Sequence, residues 1–302
     1  MEITTDLRSK VIPKHVSAEP KTSYKLSTEQ LQFYNDNGFL VIKGLIDFTD
    51  LYNYKQYFIQ ACNDKVQLGT ITVVREKSLV NKVKKKEDYI NKLQDIHYDP
   101  VFMTYTEHPL LLDVVSQFIG DDILVINSMF INKPPGTSIH PAHQDMHYFP
   151  FRPAEKIIGT WTAVDDVNTE NGCLWVVPGS HKASTLYEHG NLPDLLKMYH
   201  GILDESVAPL EKRMHLEMSP GDTLFFHPYL VHGSGANVSN RYRKCLSAHY
   251  ASAHCACADV RGTQQEGIAS EIEREAQRRG LSMSFVDIWR AKSKQVREKS
   301  KL

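Results

Sequence analysis

ILVINSMFIN, residues 123 to 132, sets the texture of the middle of this chain. The run is short and rich in β-branched and large apolar side chains, and it stops against Lys133-Pro134-Pro135-Gly136. Similar runs follow at 157–167 (IIGTWTAVDDV), 173–179 (CLWVVPG), 223–228 (TLFFHP) and 245–252 (CLSAHYAS). Gly, Pro, Asn and Asp punctuate the intervals. Many short strands separated by turn signals describe a sandwich or a barrel, so residues 123 to 251 read as one β unit.

Outward from that unit the signals turn helical. Ser27-Thr28-Glu29-Gln30 opens an amphipathic helix that stops near Asn37-Gly38, and Phe39 to Lys43 then makes a short strand. Helical spacing returns at 48–64, at 107–119 before Gly120, at 265–279 and from about 284. The fold class is therefore mainly β with flanking helices. We divide the chain into a polar arm at 1–25, a main body at 26–282, and a C-terminal helix with a charged, solvated tail at 283–302. Lys82, Lys84, Lys85 and Lys86 read as a solvated loop. Residues 183 to 213 interrupt the β series with a long polar segment holding Tyr187, Tyr199 and His200, and read as a lid.

Composition excludes several classes. Among 302 residues, 35 Lys and Arg almost balance 36 Asp and Glu, so no strong field favours nucleic acid or an anionic membrane. No apolar run approaches the roughly 20 residues that span a bilayer, and MEITTDLRSK lacks the apolar centre of a secretory signal. Five cysteines form no even framework, which fits a reducing compartment. Cys255-Ala-Cys257 lacks the two-residue spacer of zinc and redox motifs and reads as ordinary thiols. The last three residues, Ser300-Lys301-Leu302, form the tripeptide of a peroxisomal address.

HPAHQDMHYFP, residues 140 to 150, concentrates the candidate chemistry. If 143 to 149 is extended, His143, Asp145 and His147 share one face. Neighbours two apart can meet on one ion, whereas residues four apart lie roughly 13 Å from each other on a strand, which excludes a His143–His147 pair. Two histidines and one carboxylate on one face of an octahedral metal form the facial triad of non-haem Fe(II) oxygenases. GDTLFFHPYLVHGSGANVSNRYRK, residues 221 to 244, offers His227 and His232 as the third ligand; His232 fits better because it leads into the flexible Gly233-Ser234-Gly235. If 241 to 250 pairs with the strand of His232, Arg243 brings a guanidinium suited to one end of a dicarboxylate near that metal.

These residues, with the β series between them, resemble 2-oxoglutarate-dependent oxygenases of the double-stranded β-helix (jelly-roll) kind. HPAHQDMHYFPFRP, NGCLWVVPGSHK, GDTLFFHPYLVHGSG and RYRKCLSAHYASA are similar more narrowly to the phytanoyl-CoA dioxygenase family, in order from about Leu26 to residue 278. The resemblance implies Fe(II) on His143, Asp145 and His232, and 2-oxoglutarate held by Arg243 and Ser234, with Lys92, Met129, Gln144 and Trp161 also at the cosubstrate site. Without it, Trp161 and Met129 would read as core and Lys92 as a solvated lysine. It leaves His140, His147 and His227 as structural or supporting, and His181 in a turn.

The implied reaction is 2-hydroxylation of phytanoyl-CoA and similar 3-methyl-branched acyl-CoAs in fatty acid α-oxidation. Oxygen and 2-oxoglutarate are consumed, succinate and carbon dioxide are released, and ascorbate assists. Implied partners are the acyl-CoA and, through the SKL tripeptide, a peroxisomal import receptor. The alternatives are a same-family oxygenase acting on a non-CoA or straight-chain substrate, a zinc hydrolase and a binding module. Asp145 argues against a halogenating relative, in which a small residue replaces the carboxylate. GTSI, at 136–139, and the 80–92 segment depart from the family pattern, which bears on substrate range.

Overall fold

The computed structural model describes residues 22–76, 79–80, 82–191 and 200–298. Two antiparallel sheets face each other. The larger runs β1 (Phe39–Ile42), β12 (Thr223–Phe226), β7 (Ile157–Ala163), β14 (Arg243–Ser252), β4 (Ile123–Lys133), β3 (Ile90–Gln94), β2 (Thr72–Arg75), and β16 (Lys294–Arg297) also pairs with β4. The smaller runs β11 (Met214–Leu216), β8 (Leu174–Val176), β13 (His232–Ser234), β5 (His140–His143). Two ribbons complete the strands: β9 (His189–Asn191) with β10 (His200–Ile202), and β6 (Phe151–Arg152) with β15 (Ala256–Cys257). From β4 to β14 the chain passes back and forth between the two sheets, as in a jelly roll.

The pleat decides what each face carries. Arg243, Cys245, Ser247 and His249 on β14 stand opposite Lys133, Ile131, Met129 and Asn127 on β4, so both sets share the face turned towards the smaller sheet. The alternate residues Phe130, Leu246, Ala248 and Tyr250 point the other way. There they join Leu51, Tyr54 and Phe58 of α2 (Phe48–Cys62) and Leu111, Val114 and Val115 of α4 (Pro109–Ile119) in the main core. Full burial of side chains of this size is worth about 1.5–3 kcal/mol each. Between the sheets, Phe39, Trp161, Leu174, Val176, Leu224 and Phe226 form a second core.

The helix signals hold with local reasons. α1 (Thr28–Asn37) begins with a capping box, in which the Ser27 hydroxyl accepts from the Gln30 amide and the Gln30 side chain accepts from the Ser27 amide; it ends at Gly38 in the left-handed region. The 107–119 signal becomes α4, with Pro109 in its first turn, and a short helix, α3 (Met103–Thr106), precedes it. α5 (Glu266–Arg278) and α6 (Phe285–Lys292) pack on the sandwich end through Ile268, Ala269, Phe285 and Trp289, and Trp289 meets Phe149 edge to face at 5.0 Å.

One expectation changes here. The charged tail is not all solvated, because Lys294–Arg297 is a strand held against β4 by backbone pairing, with Lys294 on Glu107 and Arg297 on Asp113. The SKL tripeptide, most of the N-terminal arm, and 192–199 within the segment read as a lid lie outside the described residues. Either side of that gap, β9 and β10 form a ribbon in which His200 stands opposite Asn191.

Candidate metal centre

His143 ends β5 and His232 begins β13, and the two are cross-strand partners. That register puts both imidazoles on one face with ring centroids 4.1 Å apart. Asp145 arrives differently from the extended-chain expectation. The chain stays extended only through Gln144 and then tightens into a 3-10 turn, Asp145–Tyr148. Asp145 Oδ1 lies 3.5 Å from His143 Nε2 and 3.8 Å from His232 Nε2. Among the described residues these three form the cluster able to hold a metal, with one donor atom from each inside a 4.8 Å span, and all are buried.

The turn carries His147 away instead of along a strand. It stacks on His189, with centroids 4.3 Å apart and planes at 11°. Gln265 braces the turn from the start of α5, its amide donating to the carbonyls of Met146, His147 and Phe149. His140 stacks on His143 at 4.1 Å, while His227 faces His181 and stays outside the cluster.

Hydrogen bonds fix the donor atoms. His143 Nδ1 donates to the Pro141 carbonyl at 2.9 Å and His232 Nδ1 to the Leu230 carbonyl at 3.0 Å, so each Nε2 keeps a free lone pair towards the centre. Burial, then His143, lowers the His232 imidazole to about 4, which keeps it neutral and able to ligate. Asp145 is split: Oδ1 faces the histidines and Oδ2 accepts from His249 Nε2 at 2.7 Å. Burial pushes this carboxyl up, but the surrounding imidazoles, His249 first with its Nε2 donating to Oδ2, outweigh it and hold it well below the usual range. Two imidazoles presenting Nε2, one ionised carboxylate and an outer partner for each fit a divalent first-row ion such as Fe(II).

Arg243 does not come from the strand beside His232. β14 pairs with β4 and β7, so the guanidinium approaches from the facing sheet. It is 3% exposed, its carbon lies 5.3 Å from the centre of the Trp161 ring, and its Nε has no hydrogen-bond partner. Ser234, two residues past His232, accepts from Lys133 Nζ at 3.0 Å. A buried guanidinium with an unused donor, opposite the lysine that reaches Ser234, is a ready receptor for a carboxylate, which fits the dicarboxylate expected there. Met129 and Trp161 flank Ser247 in register on this face, and Lys92 stands opposite Ile131. Burial, then Lys292, lowers the Lys92 ammonium to about 8.

Gln144 faces away from the ion cluster. Its side chain donates to the carbonyls of Thr185 and Tyr229 and accepts from the Tyr187 amide, and its backbone amide donates to His189 Nε2. It ties the segment starting at 183 to the strand of the metal motif.

A family model described as "Phytanoyl-CoA dioxygenase (PhyH)" matches residues 34–245, well over half of the sequence, including His143, Asp145, His232 and Arg243. The chain belongs to the phytanoyl-CoA dioxygenase family. The peroxisomal phytanoyl-CoA dioxygenase of Mus musculus is 42% identical over 289 residues, covering 90% of this chain and 83% of that protein. The Homo sapiens protein of the same name is 40% identical over 286 residues, with the same coverage. A probable phytanoyl-CoA dioxygenase of Caenorhabditis elegans is 41% identical over 296 residues, covering 90% of this chain and 93% of its own length. Solved structures give the fold. EctD from S. alaskensis superposes with a TM-score of 0.60 at 20% identity over 75% of this chain and 77% of its own, and the nogalamycin epimerase SnoN with 0.58 at 20% identity over 79% and 87%.

Three residues at this family site escape the sequence. His249 and Lys133 lie within CLSAHYAS and just after ILVINSMFIN, and counting alternate positions forward from Arg243 and Met129 would have put both on the inner face. Gln265 gives no such signal, because its role depends on where α5 docks.

Proposed function

We propose that this protein is an Fe(II)- and 2-oxoglutarate-dependent oxygenase that hydroxylates the carbon next to the thioester of phytanoyl-CoA and similar 3-methyl-branched acyl-CoAs, in fatty acid α-oxidation. The observation that carries the reading is the pairing of a His143, Asp145, His232 cluster with a buried, unsatisfied Arg243 on the facing sheet. The relatives support the substrate: 40–42% identity spans 90% of the chain for proteins named phytanoyl-CoA dioxygenase. The domain-containing protein 1 of Danio rerio reaches 29% over 54%.

His143, Asp145 and His232 hold the iron. Arg243 and Ser234 take the far carboxylate of 2-oxoglutarate, with Trp161, Met129 and Lys92 completing its surroundings, while Gln144, expected there, instead braces the neighbouring segment through its side chain. Bound iron, with 2-oxoglutarate and dioxygen, supplies the oxidising power to break an unactivated C–H bond, which no side chain here has. The chain's own residues orient and exclude water: His249 holds Asp145 so that one oxygen faces the ion, and the inter-sheet core keeps the centre dry. Ascorbate serves as auxiliary reductant. We place the protein in the peroxisome, as the mouse and human relatives are named; a fluorescent N-terminal fusion lacking Ser300-Lys301-Leu302 is expected to become cytosolic.

Succinate release by the purified chain with Fe(II), ascorbate and 2-oxoglutarate tests the reading. Phytanoyl-CoA is expected to stimulate it well above palmitoyl-CoA or free phytanic acid, and Asp145→Ala to abolish it. Equal rates with all three additions would leave an oxygenase of another substrate.

A further inference from the structure

Arg243 is not the only cation at its end of the site. Lys133 stands directly opposite it on β4, in register, on the same inner face. The two are 3% and 4% exposed. Like charges facing each other on adjacent strands repel, and burying them removes the water that would screen them. Among the described residues neither has a carboxylate within ion-pair distance, and Arg243 spends one of its Nη donors on the Cys245 sulfur at 3.4 Å. The Lys133 stem is confined as well: Gly172, at φ +84°, leaves room for it, and a Cβ there would stand 2.9 Å from Lys133 Cε. Its ammonium is thereby aimed at Ser234 Oγ, 3.0 Å away. Burial and then Arg243 hold that ammonium well below the usual lysine range, outweighing the opposing pull of Cys245 and of the buried Glu76 carboxylate, which makes no ion pair with it.

We propose that Lys133 is a second cationic anchor for the distal carboxylate of the cosubstrate, sharing that group with Arg243 across the Ser234 hydroxyl and making the site selective for a dicarboxylate. This inference rests on 2-oxoglutarate being the cosubstrate. Two fixed cations on one carboxylate reward the far charge specifically, so a 2-oxo acid of the same length without that charge gains nothing from Lys133. Lys133 positions the cosubstrate and takes no part in the chemistry at the metal.

The test is binding by calorimetry, without turnover, using the full chain loaded anaerobically with Mn(II). The two probes are 2-oxoglutarate and 2-oxopentanoate, which differ only in the distal carboxylate. Lys133→Met is expected to weaken 2-oxoglutarate about 10- to 100-fold, the range of a charge-assisted contact. Binding of 2-oxopentanoate should stay within about twofold, and thermal stability without ligand should be equal or higher because an uncompensated charge has gone. Lys133→Gln, which keeps a donor for Ser234 but no charge, is expected to lose the diacid in the same way. Wild-type affinity for 2-oxoglutarate in either variant, or equal loss of both probes, overturns the role for Lys133. If the unaltered protein itself fails to prefer 2-oxoglutarate over 2-oxopentanoate, the cosubstrate reading fails instead.

Discussion

At the scale of single residues the centre depends on which atom each group is allowed to present. His143 and His232 show Nε2 because a carbonyl two residues back holds each Nδ1. Asp145 shows Oδ1 because His249 holds Oδ2. Removing His249 therefore acts on the metal through Asp145. His249→Leu is expected to weaken Mn(II) or Fe(II) binding about 10- to 100-fold with the fold intact, as read by calorimetry, and unchanged metal affinity would refute the coupling. That His143 and Asp145 come together was suggested by spacing, although the chain brings Asp145 in through a turn and not along an extended strand. His249 was not, because its importance lies in a partner 104 positions away.

At the scale of elements the sequence misleads where the chain changes sheet. His232 and Arg243 are 11 positions apart, which suits a hairpin, yet the intervening loop crosses from the smaller sheet to the larger. Spacing alone does not separate a hairpin from a crossover. Likewise 143–149 looks uniformly strand-like, but backbone hydrogen bonds from His147 to Gln144 and from Phe149 to Met146 wind it into a turn. β16 hides behind charge, as edge strands often do, because Lys and Arg on an edge guard it against pairing with another chain. The most consequential element contact is Gln144, which satisfies three backbone groups of 185, 187 and 229. Gln144→Leu removes a partner from three partly buried backbone groups, at about 0.5–1.5 kcal/mol each. Hydrogen exchange at the Tyr187 amide is expected to accelerate at least about tenfold in that variant while β4 and β14 stay protected. Exchange unchanged at Tyr187 would show that the segment is held by something else.

For the molecule as a whole, the sandwich buries many histidines as neutral groups, which makes it acid-sensitive. Burial, then His181, holds the His227 imidazole at about 4, whereas in the unfolded chain it takes a proton near 6.5. The folded value lies below the unfolded one, so this stabilisation is complete above about pH 6.5 and is lost as the pH falls towards 4. Across that window the loss is on the order of 3 kcal/mol for His227. The urea midpoint should fall steadily from pH 6.5 to 4.5, and His227→Gln should flatten that fall; an equal fall in both proteins contradicts the assignment. Fold class and metal motif were readable from the strand texture and HPAHQDMHYFP, because both are local patterns. The two-cation pocket was not, since it exists only once β4, β13 and β14 are assembled.

The central claim is insertion of one oxygen atom into a branched acyl-CoA, and the most direct measurement is turnover under ¹⁸O₂ with Fe(II), 2-oxoglutarate and phytanoyl-CoA, followed by mass spectrometry of both products. One ¹⁸O atom on the carbon next to the thioester and one in succinate, in equal amounts, is the expected result. Unlabelled, unchanged acyl-CoA beside succinate formed at the rate seen without it would contradict the claim.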